Sequence, residues 1–264
     1  MRPLRIDRTL WLAILSLLVI FGFFEATGVD LAIQDLFYQP KGRWLVDRED
    51  LGLRMLFYTG PKYLIVAVAL SLIFVVWRAR SRELRRNAGV ALLTLGSVPL
   101  LVGFGKDTTN VFCPWDITRY GGEVPYVQEL ERFPVEQRPE RRGRGFPAGH
   151  ASGGFALFGL AGLARTRRGQ MLGIATATAL GGAMGLYQMA KGAHYLSHTL
   201  ITAIFAWIAF LLWRRLMRAN RAVPPHETSL DSFPASALAD RTSWPPSRKA
   251  RCRCENFSSE LSGH

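Results

Sequence analysis

Long apolar runs separated by short basic blocks restrict how this chain folds more than any other feature. A helix needs roughly 20 apolar residues to cross the hydrocarbon core of a bilayer, because each residue advances it by about 1.5 Å. The runs therefore predict an all-α fold, an integral membrane bundle of six transmembrane helices. The predicted spans are about Leu10–Phe24, Tyr63–Trp77, Ala88–Phe104, Ala151–Ala164, Met171–Met189 and Thr199–Trp213.

The basic residues are placed as in membrane proteins rather than as in nucleic-acid-binding ones. The formal net charge is +13, and the arginines gather at the N-terminus, between spans two and three, between spans four and five, and after span six. Cytoplasmic loops carry such an excess. The pattern predicts N-in and C-in topology, no nucleic-acid partner, and outer segments at about Glu25–Pro61, Gly105–Gly149 and Lys191–His198.

Two features concern the ends of the chain. The first span is also compatible with a cleaved signal peptide, whose loss would leave five spans. Residues 222–264 are rich in proline and serine and contain no spanning run. We therefore predict a six-helix domain over residues 1–221 and a disordered, basic cytoplasmic tail over residues 222–264.

Ionisable residues stand at three predicted outer helix ends. Lys106 directly follows span three, His150 opens span four after Gly149, and His194 precedes span six. Such residues at a membrane boundary are costly and indicate function. The distribution of arginines, which does not include these three residues, predicts that all three lie at the same membrane surface. The sequence therefore predicts one site built from three helix ends.

Two histidines and a lysine together are suited to phosphoryl transfer. One imidazole can attack phosphorus to give a phosphohistidine, and a second can protonate the leaving oxygen. The phosphate oxygens also need positive charge and N–H donors. Lys106 supplies charge, and the helix N-terminus at Gly149 supplies backbone N–H groups that a phosphate can approach closely.

The order and spacing of these residues resemble the type 2 phosphatidic acid phosphatase superfamily, membrane phosphatases related to bacterial acid phosphatases and vanadium haloperoxidases. That family carries the motifs K-x6-R-P, P-S-G-H and S-R-x5-H-x3-D. Here the three motifs read Lys106-x6-Cys113-Pro114, Pro147-Ala148-Gly149-His150 and Tyr187-Gln188-x5-His194-x3-His198. Spacing is kept throughout, while Cys113, Ala148, Tyr187, Gln188 and His198 replace the family residues.

The resemblance implies roles for the matching positions. His194 is the nucleophile, His150 the general acid for the leaving alcohol, and Lys106 a phosphate ligand. His198 stands where the family has the aspartate that orients the nucleophile, a role it could fill as a neutral acceptor or through water. Asp116 is an alternative for that role.

The resemblance also exposes missing positive charge. The family's two phosphate-binding arginines are Cys113 and Gln188 in this chain. Gln188 can still donate a hydrogen bond, and arginines of the second outer segment, Arg119 and Arg144 among them, are predicted to replace the lost charge.

Together these features predict a membrane lipid phosphatase that uses no metal or other cofactor. It would hydrolyse a lipid phosphate or pyrophosphate through a phosphohistidine, at the periplasmic face of a bacterial inner membrane. Its predicted partners are the lipid substrate and the bilayer. Three alternatives stay open: a lipid phosphotransferase using the same histidines, a non-catalytic lipid binder or transporter, and a zinc site formed by His150, His194 and His198.

Overall fold

The computed structural model describes residues 8–219, which form a helical bundle with one short hairpin. Strands β1 (Tyr38–Gln39) and β2 (Arg43–Trp44) pair antiparallel. The helices are α1 (Arg8–Glu25), α2 (Val29–Asp35), α3 (Leu51–Arg54), α4 (Gly60–Arg78), α5 (Arg82–Thr108), α6 (Gly149–Ala156), α7 (Arg167–Ala190) and α8 (Leu196–Ala219). The predicted tail over 222–264 lies outside the described residues.

Four helical stretches within residues 8–219 are long and apolar enough to cross a membrane. They are Arg8–Glu25, Leu51–Arg78, Arg82–Thr108 and Leu196–Arg218. Large apolar side chains such as Leu64, Phe74, Leu100 and Phe104 face outward from them. Exposed apolar surface of this extent is typical of a membrane protein. The count of six spans and the N-in, C-in orientation stay predictions.

The second predicted span begins earlier than its apolar run indicates. Its helix starts at Leu51 rather than Tyr63, because the Asp50 side chain accepts a hydrogen bond from the backbone N–H of Leu53, at 2.9 Å. The first outer segment also contains α2 and the hairpin, so it is more structured than the sequence pattern suggests.

A π-helical turn over Met55–Thr59 joins α3 to α4. Pro61 has no backbone N–H to donate, and the N–H of Gly60 bonds to the carbonyl of Met55. Gly60 has no side chain to obstruct this turn, whereas a Cβ there would lie 2.7 Å from the Met55 oxygen. Turns of this kind recur at functional sites. Here the turn carries Tyr58, whose ring lies 4.7 Å from that of His150 between centroids.

The fourth predicted span differs most from a regular helix. Helix α6 is eight residues long and continues as a 3₁₀ helix over Leu157–Gly162. It packs among α5, α7 and α8, where small residues at the contacts let the helix backbones approach closely. The fully buried ones include Ala91 of α5, Ala151 and Ala156 of α6, Ala177 of α7 and Ala206 of α8.

The α6–α7 contact depends on glycine. A Cβ on Gly181 would lie 2.5 Å from the Phe155 ring, whereas a Cβ on the neighbouring Gly182 would meet nothing within 4 Å. We expect Gly181→Ala to destabilise the protein by about 1–3 kcal/mol through overpacking. Gly182→Ala is the matched control and should leave the protein as stable or slightly more so.

Thermal unfolding of both variants in detergent measures this difference. Equal melting temperatures for the two variants would show that Phe155 moves aside without cost, and that the glycine is not required for the contact.

The segment between α1 and α3 holds the end of α7 in place. The Gln34 Nε2 atom donates to the Met189 carbonyl at 2.8 Å, and the Val46 N–H donates to the Ala190 carbonyl at 3.1 Å. Gly192, with a φ of +79°, leaves room for the Trp44 ring, which a Cβ would strike. These contacts satisfy carbonyls at the helix end and fix the turn that leads to His194.

Candidate active site

The structure brings the three helix ends together at one end of the bundle. Lys106 lies in the last turn of α5, His150 in the first turn of α6, and His194 in the turn between α7 and α8. The ring centroids of His150 and His194 are 6.0 Å apart. The arginines at the end of α4 and at the starts of α5 and α7 lie at the helix termini opposite to those that carry the site.

A backbone carbonyl orients His194. The Nδ1 atom lies 2.8 Å from the Gly145 oxygen. Because a carbonyl oxygen only accepts, Nδ1 must carry the proton and the Nε2 lone pair is free. The side chain is buried, with 2% of the residue exposed. Burial, and then the charges of Lys106, His198 and His150, hold the pKa of His194 well below its ordinary value. The imidazole of His194 is therefore neutral.

The Gly145 carbonyl is itself held by a neighbouring segment. The Gly145 N–H donates to the Val111 carbonyl at 2.7 Å, and the Thr109 hydroxyl donates to the Phe146 carbonyl at 2.8 Å. Further along, the Ala148 N–H donates to the Thr202 hydroxyl of α8 at 3.0 Å. These hydrogen bonds attach the segment before His150 both to the residues that follow α5 and to α8.

His198, predicted as the residue that orients the nucleophile, has another partner. Its Nε2 atom lies 3.2 Å from Glu129 Oε1, and both side chains are buried. The rings of His198 and His194 meet edge to face at 5.8 Å. Asp116 forms an ion pair with Arg141, in which its Oδ1 atom lies 2.6 Å from the Arg141 Nη2 atom. The Gly145 carbonyl, rather than His198 or Asp116, is the group that contacts Nδ1 of His194, and the orienting role of those two residues stays a prediction.

Lys106 reaches the N-terminus of α6. Its ammonium donates to the Arg144 carbonyl at 3.0 Å. A Cβ on Gly149 would lie 2.9 Å from the Lys106 Cε and 3.3 Å from its Nζ. Glycine at 149 therefore lets the ammonium approach the first backbone N–H groups of α6, which attract anions.

The two positions that lack the family arginines carry no charge. Burial, with the nearby Asp116 carboxylate, raises the pKa of the Cys113 thiol to about 12, so it is not a thiolate at neutral pH. Gln188 is fully buried in α7, and its amide has no hydrogen-bond partner among the described residues.

The arginines predicted to replace that charge form ion pairs with carboxylates. Arg119 forms a two-point ion pair with Asp35 at 2.9 and 2.7 Å. Arg144 pairs with Asp107 at 2.8 Å. Both pairs are solvent-exposed, and the phosphate-binding role of these two arginines stays a prediction.

Two cavities meet at His150 and Tyr58. One, of about 300 Å³, is largely apolar and lies between helices, with Ile65 and Val66 of α4, Pro99 of α5 and Met184 of α7 in its wall. The other, of about 180 Å³, is lined by Arg48, Arg54, Tyr58, His150 and Lys191. Sequence reasoning missed Arg48, Arg54 and Lys191 because none of them stands at a defined position of the family motifs; Lys191 is an unspecified residue within the third. Their position in the predicted outer segments was the one available signal.

The histidine trio does not form a metal site in the described part of the chain. No group of three or more histidine, cysteine, aspartate or glutamate side chains there is arranged to hold a metal ion. The zinc alternative considered from the sequence therefore has no structural support in residues 8–219.

The fold and site define a helical membrane protein whose paired histidines and lysine converge at helix ends. The family model described as the PAP2 superfamily matches residues 87–222. The chain belongs to this superfamily, which confirms the resemblance drawn from the three motifs. Membership supports phosphatase activity on phosphate esters. Comparison with curated proteins gives no significant match, and comparison with solved structures gives none either.

The Glu129–His198 pair should stabilise the outer segment. Burial opposes ionisation of Glu129, but His198, whose Nε2 atom lies 3.2 Å from the carboxylate, holds the pKa of Glu129 below the ordinary value of 4.5. Its carboxylate therefore stabilises the fold above pH 4.5, and this contribution is lost as the pH falls through the lower folded-state pKa. We expect Glu129→Gln to cost about 1–3 kcal/mol at pH 7, with the difference shrinking below pH 4.5.

Melting temperatures of the wild type and Glu129→Gln across pH 3–8 measure this effect. Glu136→Gln, at an exposed position, is the control. A loss that stays constant with pH would contradict the ionic pair.

Proposed function

We propose that this protein is a metal-independent membrane phosphatase that hydrolyses a lipid phosphate through a phosphohistidine on His194. The observation that carries the proposal is the hydrogen bond from Nδ1 of His194 to the Gly145 carbonyl. It leaves an unprotonated Nε2 beside His150 and Lys106, as a nucleophile for phosphorus requires.

The side chains of the site would catalyse two successive phosphoryl transfers. In the first, Nε2 of His194 bonds to phosphorus, the P–O bond to the lipid breaks, and His150 gives its proton to the leaving oxygen. In the second, a water attacks phosphorus, the P–N bond breaks, and His150 takes the proton from the water. The Nδ1 atom of His150 has no hydrogen-bond partner among the described residues. Burial, and then the charge of Lys106, lower the pKa of His150 to about 4, so His150 acts as the acid only after it gains a proton as the anionic substrate binds.

Positive charge and N–H donors would hold the phosphoryl oxygens. The Lys106 ammonium lies next to Gly149 at the start of α6, and the two together supply a charge and backbone donors. Such groups stabilise the charge that the equatorial oxygens carry in the transition state.

The cavities favour an amphiphilic substrate. The apolar cavity and the basic cavity share His150 and Tyr58. A molecule with a phosphate head and an apolar tail can therefore place its ester oxygen at His150 while its tail lies between α4, α5 and α7. We propose a bacterial inner membrane with the site at the periplasmic face, as the arginine distribution predicts.

Removing the nucleophile tests the mechanism. We expect His194→Ala to lower phosphate release from lipid phosphates by three orders of magnitude or more, on the order seen for nucleophiles in other covalent enzymes. The assay uses the full chain in detergent with phosphatidate, phosphatidylglycerol phosphate and a polyprenyl phosphate, each with and without EDTA. An exposed control, Arg132→Gln, should keep wild-type rates, and the melting temperature of each variant reports its folding.

Two outcomes would contradict the proposal in different ways. Release that EDTA abolishes would show that a metal ion takes part. No release from any lipid by the wild type would favour a non-catalytic lipid binder.

The acidity of His194 gives an independent test. Because the pKa of His194 lies well below its ordinary value of 6.5, the imidazole stays unprotonated as the pH falls through 6.5. The fall of kcat/KM at acid pH that is caused by protonation of His194 should therefore occur below pH 6.5. A fall at or above 6.5 would mean that His194 titrates like an exposed imidazole.

A further inference from the structure

The basic cavity beside the histidines contains more positive charge than the family motifs account for. Arg48 precedes α3, Arg54 ends it, and Lys191 directly follows α7, so two separate parts of the chain bring three cations to one space of about 180 Å³. His150 and Tyr58 complete its lining. Neither His194 nor Lys106 lines it, so this cavity lies beside the transfer site rather than within it.

These cations differ from the other arginines of the outer segments. Arg119, Arg141 and Arg144 each pair with an aspartate at 2.6–2.8 Å. Within residues 8–219, no carboxylate lies within ion-pair distance of the cations in the basic cavity. Like charges brought together without counter-ions repel one another. An anion that enters the cavity removes that repulsion.

Aromatic rings hold two of the cations in position. The Arg48 guanidinium lies 4.0 Å from the centroid of the Trp115 ring, and the Lys191 ammonium lies 5.0 Å from that of Tyr187. Cation–π contacts of this kind orient a charge without neutralising it. Burial, and then the charges of Arg54 and Arg48, lower the pKa of Lys191, so a bound anion would favour its charged form.

We infer that Arg48, Arg54 and Lys191 form a second anion subsite, which binds an additional phosphate on the leaving-group side of the phosphate that His194 attacks. The ligand class is a diphosphate monoester with an apolar tail. This inference rests on the proposed function, because it places the subsite relative to the attack by His194.

The position of His150 fixes which phosphate occupies the subsite. An attacking nitrogen and a leaving oxygen lie roughly in line across phosphorus. With His194 on one side, the leaving oxygen is at His150, and the basic cavity begins there. The group that leaves would therefore place its own phosphate among the three cations and its tail in the adjoining apolar cavity.

The reaction on such a substrate balances without a further reactant. Nε2 of His194 bonds to the terminal phosphorus, and the bond from that phosphorus to the bridging oxygen breaks. The electron pair leaves with the bridging oxygen, which takes a proton from His150, and the departing product is a lipid monophosphate. Water then attacks the phosphohistidine, the P–N bond breaks, inorganic phosphate leaves, and His150 regains a proton.

Paired substrates that differ by one phosphate test the subsite. The probes are farnesyl diphosphate and farnesyl monophosphate, with the full chain in detergent and EDTA present. For Arg54→Gln, Lys191→Gln and the double variant, we expect the ratio of kcat/KM for diphosphate to that for monophosphate to fall, by about tenfold or more in the double variant. Arg132→Gln, an exposed arginine outside both cavities, should leave the ratio unchanged.

Equal losses on both probes would overturn the inference and assign the cations to the transferred phosphate instead. An unchanged ratio in the double variant would overturn it as well, while phosphate release by the wild type would leave the proposed function standing.

A binding measurement separates the inference from the proposed function. Equilibrium binding of both radiolabelled probes to His194→Ala, with and without the Arg54→Gln and Lys191→Gln changes, needs no turnover. A diphosphate preference that those changes remove would support the subsite even if the wild type released no phosphate. No preference in His194→Ala would overturn the subsite.

Discussion

The hydrogen bond between His194 and the Gly145 carbonyl is the contact on which the site depends. It fixes the tautomer of the imidazole and leaves Nε2 as the nitrogen without a proton. A carboxylate in this place would also stabilise a positive imidazole, whereas a neutral carbonyl does so less. The site thus obtains its orientation from backbone that Val111 and Thr109 hold in place, and the carboxylate that remains, Glu129, is paired with His198.

Charge in the outer segments is divided into two groups. Arginines paired with aspartates tie the segments together, as Arg119 does by joining the second outer segment to α2 through Asp35. Cations without a carboxylate gather around His150, in the cavity formed by Arg48, Arg54 and Lys191. The chain lacks the family arginines at Cys113 and Gln188, yet positive charge without a paired carboxylate lies beside His150.

Local sequence pattern predicted much of the fold and part of the site. The apolar runs located the long helices because burial in a bilayer demands length and apolarity from consecutive residues. They misplaced the start of the second helix, since the Asp50 cap and the π turn at Gly60 are local hydrogen-bonding features that hydropathy does not register. The convergence of Lys106, His150 and His194 followed from helix direction alone. The partners of Arg119 and His198 could not be predicted from the sequence, because Asp35 and Glu129 lie far from them along the chain.

By itself, the sequence determined the helical membrane character, the superfamily and the three helix ends that carry His194, His150 and Lys106. Each of these depends on residue type and spacing over short distances. Only the tertiary structure decided that the Gly145 carbonyl contacts His194, that Asp35 and Asp107 pair with Arg119 and Arg144, and that Arg48, Arg54 and Lys191 share a cavity with His150. Those relations join residues from different elements. Arg119 and Asp35, for example, are 84 positions apart, and only the packing of the outer segments onto the helix ends decides which charges meet.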